Sequence, residues 1–303
     1  MPLKNLSILI LNYNSSDKII LQLKALKDSR LTESNFIIID NNSADAEVLQ
    51  TYCLQNQIKF IQTNENKGYA YGNNLALKTA IADGNEFFLI LNPDIEISCE
   101  TIVEMYNEIT ANSSIGAVGC RICDKFQKNI IFSDGGLLYP DFGFRGGHLN
   151  GNKLITEVTV SNKIKQFDYV NGSVFMFSKE ALKQNGLMRE DFFMYYEESE
   201  WCYRLTNTTK LEMVILTNVV AYHENSVKGK LYHYHISRNR LWLCKLYNGN
   251  IKVAKKEVLK EMKRSLFSKR NKTYLNFGLF FSILSGYRAG LKQEVYLDNF
   301  EKI

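Results

Sequence analysis

A chain of 303 residues with 45% hydrophobic residues, 23% charged residues and only three prolines can bury a sizeable core, which excludes a largely disordered chain. The formal charge of +5 is modest but unevenly placed: between Lys245 and Lys272, ten lysines and arginines face only Glu257 and Glu261, leaving the rest slightly acidic. Six cysteines scattered through apolar segments suit buried free thiols in a reducing compartment, and the lone CxxC of Cys120 and Cys123 lacks the second pair that a zinc site would want.

In chain order, the first 120 residues alternate apolar runs with amphipathic stretches, the pattern of βα units and a parallel sheet. The runs are LSILIL (6–11), FIII (36–39), IKFI (58–61), FFLIL (87–91) and IGAVG (115–119). The opening run lacks the basic flank and small-residue cleavage site of a secretory leader, so it is expected to be a strand. After it, Ser15 or Ser16 can cap a helix whose Ile19, Leu23 and Leu26 share one face. Residues 124–166, with several glycines and polar turns, predict a long irregular excursion beside the active face. Strand character returns in VNGSVFMFS (170–178), followed by helices over 179–185 and 194–206 and one or two closing strands in LEMVILTNVVAYH (211–223). The expected class is α/β: a mostly parallel sheet flanked by helices over residues 1–230, with a basic helical extension over 231–303.

Open parallel sheets bind ligands at the carboxyl ends of their strands. Polar residues gather at those ends: Asn12, Tyr13 and Asn14; Asp40, Asn41, Asn42 and Ser43; residues 64–68, which include Asn66 and Gly68; and Asn92, Pro93 and Asp94. Each set alone reads as a cap or a turn, but four in succession mark a binding rim. The first strand is followed by no G-x-G-x-x-G, and no G-x-x-x-x-G-K-[ST] occurs, so neither a dinucleotide cofactor nor a Walker-type phosphate loop is expected. A diphosphate would then need a divalent ion, Mg²⁺ or Mn²⁺, with Asp94 as its candidate carboxylate. Pro93 ends the strand by removing a ladder donor and fixing φ, which holds Asp94 at the rim.

The second informative stretch is DFFMYYEESEWCYRL (191–205). Helical from about Met194, it aligns Glu198 with Met194, Trp201, Cys202 and Leu205 on an apolar face. Glu200 then pairs with Arg204 on the exposed face, and Glu197 lies between. A carboxylate on an apolar face is costly unless it is paired or used, and desolvation raises its pKa toward that of a general base. Glu198 is therefore the candidate base; a shifted register in which it caps or pairs is the alternative.

Taken in order over about residues 5–245, ILNYN with IIIDNNS, NKGYAYGNN, LNPD, VNGSVFMFSKEAL, FFMYYEESEWCYRL, VVAYHENS and RNRLWLCK resemble the family 2 glycosyltransferases of GT-A fold. The likeness is greatest to the rhamnosyl- and galactofuranosyl-type branch acting in bacterial surface polysaccharide synthesis. It implies inverting transfer of a sugar from a nucleotide-diphosphate donor, dTDP-rhamnose or a UDP-hexose, to a hydroxyl of a glycan or lipid-linked acceptor. By the same resemblance Tyr13 packs on the base and Asp40 bonds the nucleoside, with Asn12, Asn42, Asn66, Gly68 and Asn92 as further donor positions. Asp94 and His223 hold the metal; Asn171, Gly172, Glu197 and Trp201 meet the acceptor; Glu198 matches the base. Three departures stand out. Asn92 occupies the place of the first acid of a D-x-D, with Glu96 the candidate replacement; Gly72, Asn73 and Asn74 stand where others carry an arginine; and the base is more often Asp.

Residues 275–290 (LNFGLFFSILSGYRAG) are too short and too interrupted by polar residues to span a bilayer. An interfacial helix beside the basic block is expected to dock on an anionic membrane, where lipid-linked acceptors lie; packing on the core or on a second subunit, as in a homodimer, is the alternative. The expected setting is the cytoplasm, at the inner face of the membrane, with no nucleic-acid partner. The competing reading from another class is a non-catalytic glycan- or nucleic-acid-binding module with a vestigial crevice.

Overall fold

Residues 3–158, 161–224, 228–267 and 276–303 are described in a computed structural model. Lys269, Arg270 and Lys272 of the basic block, and Asn225 and Ser226 of the VVAYHENS stretch, lie outside the described residues. The first part of the chain forms β1 (Leu6–Asn12), α1 (Ser16–Ala25), β2 (Phe36–Asp40), α2 (Ala46–Gln55), β3 (Lys59–Gln62), α3 (Tyr69–Ala82) and β4 (Phe87–Leu91). Next come β5 (Ile95–Ile97), α4 (Cys99–Ala111), β6 (Ile115–Asp124), β7 (Ile131–Ser133), β8 (Gly136–Tyr139), β9 (Arg145–His148) and β10 (Lys163–Ile164). The chain ends in β11 (Val174–Ser178), α5 (Lys179–Asn185), α6 (Glu197–Thr208), β12 (Glu212–His223), α7 (Lys230–Leu246), α8 (Ile251–Phe267) and α9 (Phe277–Lys292).

The sheet runs β10-β12-β6-β11-β4-β1-β2-β3, with β5 beside β12 and β7 beside β6. β1 is parallel to β2 and β4, β2 to β3, and β6 to β12. β11 runs antiparallel between β4 and β6, so the chain that enters it arrives at the carboxyl end of β4. Both sheet faces are covered. Ile8, Ile10 and Ile38 pack with Ile19, Leu49, Ile102 and Met105 on one side, while Leu9, Ile37 and Ile39 pack with Leu77, Trp201, Leu205 and Leu241 on the other. Burial on both faces is why these strands read as unbroken apolar runs.

Several local details refine these expectations. The start of α1 is held by Asp45, whose carboxylate accepts from the Ser16 amide at 2.9 Å, and not by a serine cap. Of the one or two closing strands expected in 211–223 the chain forms one, β12, bulged between Leu216 and Val220. The glycine-containing excursion is tied into the sheet through β7, and a buried ion pair between Arg121 and Asp134 (two contacts of 2.7 Å) anchors it. All six cysteines are buried free thiols.

The extension expected from residue 231 is not separate at its start: Leu241, Trp242, Leu243 and Leu246 of α7 belong to the same core as the sheet. α9 lies directly on α7, because a Cβ at Gly286 would stand 2.2 Å from the Tyr234 carbonyl oxygen and one at Gly290 3.0 Å from that of Arg238. Its apolar sequence therefore buries one face on the protein, while Phe277 and Phe281 stay exposed. Among the described residues no helix is long and apolar enough to cross a membrane.

Candidate active site

The segment after β4 turns sharply: the Ile95 amide donates to the Asn92 carbonyl at 3.2 Å, with Pro93 at the second position, where its fixed φ suits a turn. The chain then resumes as β5, whose Ile95 pairs with His223 at the end of β12. This change of partner brings Asp94 Oδ2 to 3.5 Å from His223 Nε2. Gln22 of α1 braces the turn by donating to the carbonyls of Asn92 (2.9 Å) and Ile95 (2.8 Å). Asp94 Oδ1 and His223 Nδ1 are buried without a protein partner. Burial lowers the His223 pKa, opposed by the neighbouring charge of Asp94. Phe132 packs between His223 and His148, at 4.9 and 4.8 Å. Glu96 does not replace the missing acid: it alternates to the other side of β5 and pairs with Lys125 (3.0 Å) and Lys128 (3.8 Å).

The opposite wall is built by the approach to α6. That helix begins at Glu197, not near Met194, because Phe193, Tyr195 and Tyr196 adopt φ of 62°, 67° and 73°. Glu197 and Glu198 thus occupy its first turn, and Met194 is not on the helix. Glu198 is half-buried, with its side chain against Gly172, where a Cβ would stand 3.0 Å from Glu198 Cγ. Glu197 is buried and its Oε2 has no partner. Burial raises the pKa of both carboxyls; Glu197 lies well above its ordinary value, the charge of Glu198 adding to the effect. For Glu198 the backbone amides at the helix start oppose the rise.

Two expectations on this helix are corrected. Glu200 and Arg204 are a buried pair, 3.0 Å apart, with the Tyr247 hydroxyl donating to Glu200 at 2.5 Å. The C-terminal segment, remote in sequence, covers that face and sets Phe300 over the Arg204 guanidinium at 3.7 Å. Trp201, expected at the acceptor, is 1% exposed; its indole N–H donates to the Gly186 carbonyl and its ring packs on Phe175 and Phe177.

Tyr69 joins the two walls. Its hydroxyl lies 2.8 Å from the Gly172 carbonyl and 3.0 Å from Asn92 Oδ1. Burial raises its pKa well above the usual value, and the charges of Glu197, Glu198 and Asp94 add to this. Gly68, at φ 96°, precedes Tyr69; a Cβ there would stand 2.3 Å from the Phe193 carbonyl oxygen, which accepts from the Tyr69 amide. Asn66 fixes this turn by accepting from the Gly68 amide (2.9 Å) and from Asn41 (2.8 Å).

Two connected hollows result. One, of about 280 Å³, is lined by Tyr13, Lys18, Asn41, Asn66 and Gly68; the other, of about 620 Å³, by His148, Asn171, Gly172, Glu197, Glu198 and His223. Tyr69, Asn92, Asp94 and Met194 line both and form the neck. The expected residues Asn12, Asp40 and Asn42 are not brought to these walls. Asn12 and Asp40 are fully enclosed, Asn12 donating to Asp40 Oδ1 at 2.8 Å, and they knit the ends of β1 and β2. Asn42 stands exposed at φ 62°. Sequence reasoning passed over Tyr69, although its place after a glycine in NKGY was a signal, and also Lys18, Met194, His148, Lys228 and Tyr232, for which contact across distant segments decides.

Among the described residues no set of three or more His, Cys, Asp or Glu side chains is gathered for a metal. Asp94 and His223 nevertheless form a fitting pair, since a buried carboxylate oxygen without a partner suits a hard cation whose other positions are filled by phosphate oxygens and water.

The comparisons with solved structures give the chain a GT-A fold. The chain aligns with the mannosyltransferase PcManGT from Pyrobaculum calidifontis in complex with GDP-Man and Mn²⁺ at a TM-score of 0.58 and 12% identity, covering 95% of this chain and 87% of that one. It aligns with GalNAc-T7 with UDP, GalNAc and Mn²⁺ at 0.58 and 11%, covering 85% and 57%. Among curated proteins it is 33% identical over 205 residues to the low-salt glycan biosynthesis hexosyltransferase Agl10 of Haloferax volcanii, a match spanning 67% of this chain and 62% of that protein. The family model for glycosyl transferase family 2 matches residues 7–184, and the chain belongs to that family.

Proposed function

We propose that this protein transfers a sugar from a nucleotide-diphosphate donor, dTDP-rhamnose or a UDP-hexose, to a hydroxyl of a glycan or lipid-linked acceptor in the synthesis of a surface polysaccharide, with inversion. The observation that carries this reading is the half-buried Glu198 in the larger hollow, joined through Tyr69 to a neck lined by Asp94. The smaller hollow, with Tyr13 on its wall, receives the nucleoside; Asn66, Gly68, Asn92 and Asp94 line the path of the diphosphate. Asp94 and His223 would hold a divalent ion, Mn²⁺ or Mg²⁺, which when bound supplies positive charge against the departing diphosphate. GDP-Man and Mn²⁺ with one structural neighbour, and UDP, GalNAc and Mn²⁺ with the other, support donor class and metal.

Glu198 accepts the acceptor hydroxyl's proton as that oxygen attacks the anomeric carbon, and the carbon–oxygen bond to the diphosphate breaks on the opposite face. Asn171, Gly172 and Glu197 border the acceptor beside it. Lys252, Lys255, Lys256, Lys260, Lys263 and Arg264 of α8, with the exposed Leu231, Phe277 and Phe281, dock the protein on an anionic cytoplasmic membrane surface. The test is nucleotide release and glycan formation from dTDP-rhamnose, UDP-galactose and UDP-glucose with Mn²⁺. Glu198→Gln should abolish transfer by a protein that still folds, and undiminished turnover would remove Glu198 from the reaction.

A further inference from the structure

The RNRLWLCK stretch has no part in the reaction described, yet its first turns touch the wall that carries the base. Asn239, on α7, is completely buried. Its side-chain amide nitrogen, with two hydrogens, one of them shared, lies within hydrogen-bond distance of three backbone carbonyls: Phe192 at 3.0 Å, Met194 at 2.9 Å and Tyr195 at 2.7 Å. Arg238 adds its guanidinium to the Phe192 carbonyl at 2.6 Å and the Asp191 carbonyl at 3.2 Å, and its Nε donates to Asn239 Oδ1 at 2.8 Å. Three carbonyls aim at one amide only because Phe193, Tyr195 and Tyr196 take left-handed φ, which side chains of this size rarely adopt without support. The same face of α7 grips the loop's rings: His235 stacks on Phe193 at 5.1 Å, Tyr232 meets Tyr195 at 5.0 Å and Trp242 meets Phe192 at 5.8 Å. Spacings of three and seven residues from Tyr232 to His235 and on to Trp242 place these groups on one side of the helix.

The strained loop ends at Tyr196, and Glu197 follows immediately. We infer that Asn239 is a positioning residue: by holding the carbonyls of residues 192–195 it fixes where α6 starts, and so where the Glu198 carboxylate points. The inference rests on Glu198 as base. Reading the loop alone, Asn239→Ala should speed amide hydrogen exchange over residues 193–200 at least 10-fold while the sheet strands keep wild-type rates. Leu241→Ala, on the same helix but in the core, serves as the comparison: it should lower thermal stability without this local opening. In turnover of whichever of UDP-glucose, UDP-galactose or dTDP-rhamnose the wild type uses, Asn239→Ala should lower kcat more than 10-fold with donor KM within twofold, and displace the acid limb of the pH profile. Unchanged exchange over residues 193–200, or equal opening in both variants, overturns the positioning role. Should Glu198→Gln be fully active while exchange still changes locally, the base assignment fails and the loop-holding role stands.

Discussion

The buried pair on α6, Glu200 with Arg204, gives a quantitative test. From sequence alone Glu200 and Arg204 read as an exposed pair four residues apart, worth a few tenths of a kcal/mol. In the structure Glu200 is fully enclosed and Arg204 is 4% exposed, the guanidinium also donating to the carbonyls of Asn185 and Leu187. Removing one charge of such a pair strands the other in a poorly hydrated site, a cost of about 3–5 kcal/mol. Glu200→Gln should therefore lower the melting temperature by roughly 6–10 °C, at about 2 °C per kcal/mol for a chain of this length. Glu200→Gln with Arg204→Met removes both charges and should recover most of the loss, since a well-packed neutral pair of similar volume is often no worse than the ions. Thermal unfolding of the wild type, both single variants and the double variant closes the cycle. A single-variant loss below about 1 kcal/mol, or a double variant no better than Glu200→Gln, would refute the claim that an uncompensated charge is what costs.

Asp94→Asn should weaken Mn²⁺ binding by at least about tenfold, measured by calorimetry with the matching nucleoside diphosphate, and His223→Ala should do so to a smaller extent. His235 offers a pH test. Burial lowers its pKa to about 4, so between about 6.5 and 4 the unfolded chain binds a proton that the folded chain refuses. Its contribution is thus complete above the unfolded pKa and falls as pH drops through that window; His235→Phe should flatten the acid side of the stability curve relative to wild type. Reversing Lys255, Lys256 and Lys260 to glutamate should reduce sedimentation with phosphatidylglycerol vesicles several-fold at 0.1 M salt, and leave binding to neutral phosphatidylcholine vesicles unchanged.

How much of this was legible in the sequence follows from how local each feature is. The alternating strands and helices, the polar strand ends and the proline-marked turn are local, and β1 to β4 fall where the apolar runs stand. The start of α6 was missed because four aromatic and sulfur-bearing residues before Glu197 carry ordinary helical spacing, while the left-handed φ of Phe193, Tyr195 and Tyr196 is supported by α7, some forty residues away. Glu200 and Arg204 were misjudged for the same reason, since Phe300 and Tyr247 supply their cover. Asn12 and Asp40 looked like ligand contacts, but the close approach of β1 and β2 lets their side chains satisfy each other.

Two adjacent glutamates at one helix start cannot both be ionised cheaply where water is scarce, and their surroundings separate their duties. Glu197 is 4% exposed with a carboxyl oxygen lacking any partner, and burial together with the charge of Glu198 pushes its pKa well up. Glu198 is half-exposed to the hollow, and helix-start amides favour its charged form. The helix dipole favours one negative charge at this end, and the more accessible group is the one that carries it. Glu197 is therefore the carboxyl that holds its proton the more strongly of the two, and Glu198 the one that more readily carries the negative charge the proposed base needs. Glutamine has the shape and neutrality of a protonated glutamate, so Glu197→Gln should retain turnover to within about tenfold, whereas Glu198→Gln should lose on the order of 10²–10⁴-fold. With Glu197→Gln the acid limb of the rate profile should stay in place, because the carboxyl removed is the one that already holds its proton where Glu198 titrates. Equal losses in the two variants, or an acid limb displaced to lower pH in Glu197→Gln, would mean that the carboxyls share the proton and the division of labour is wrong.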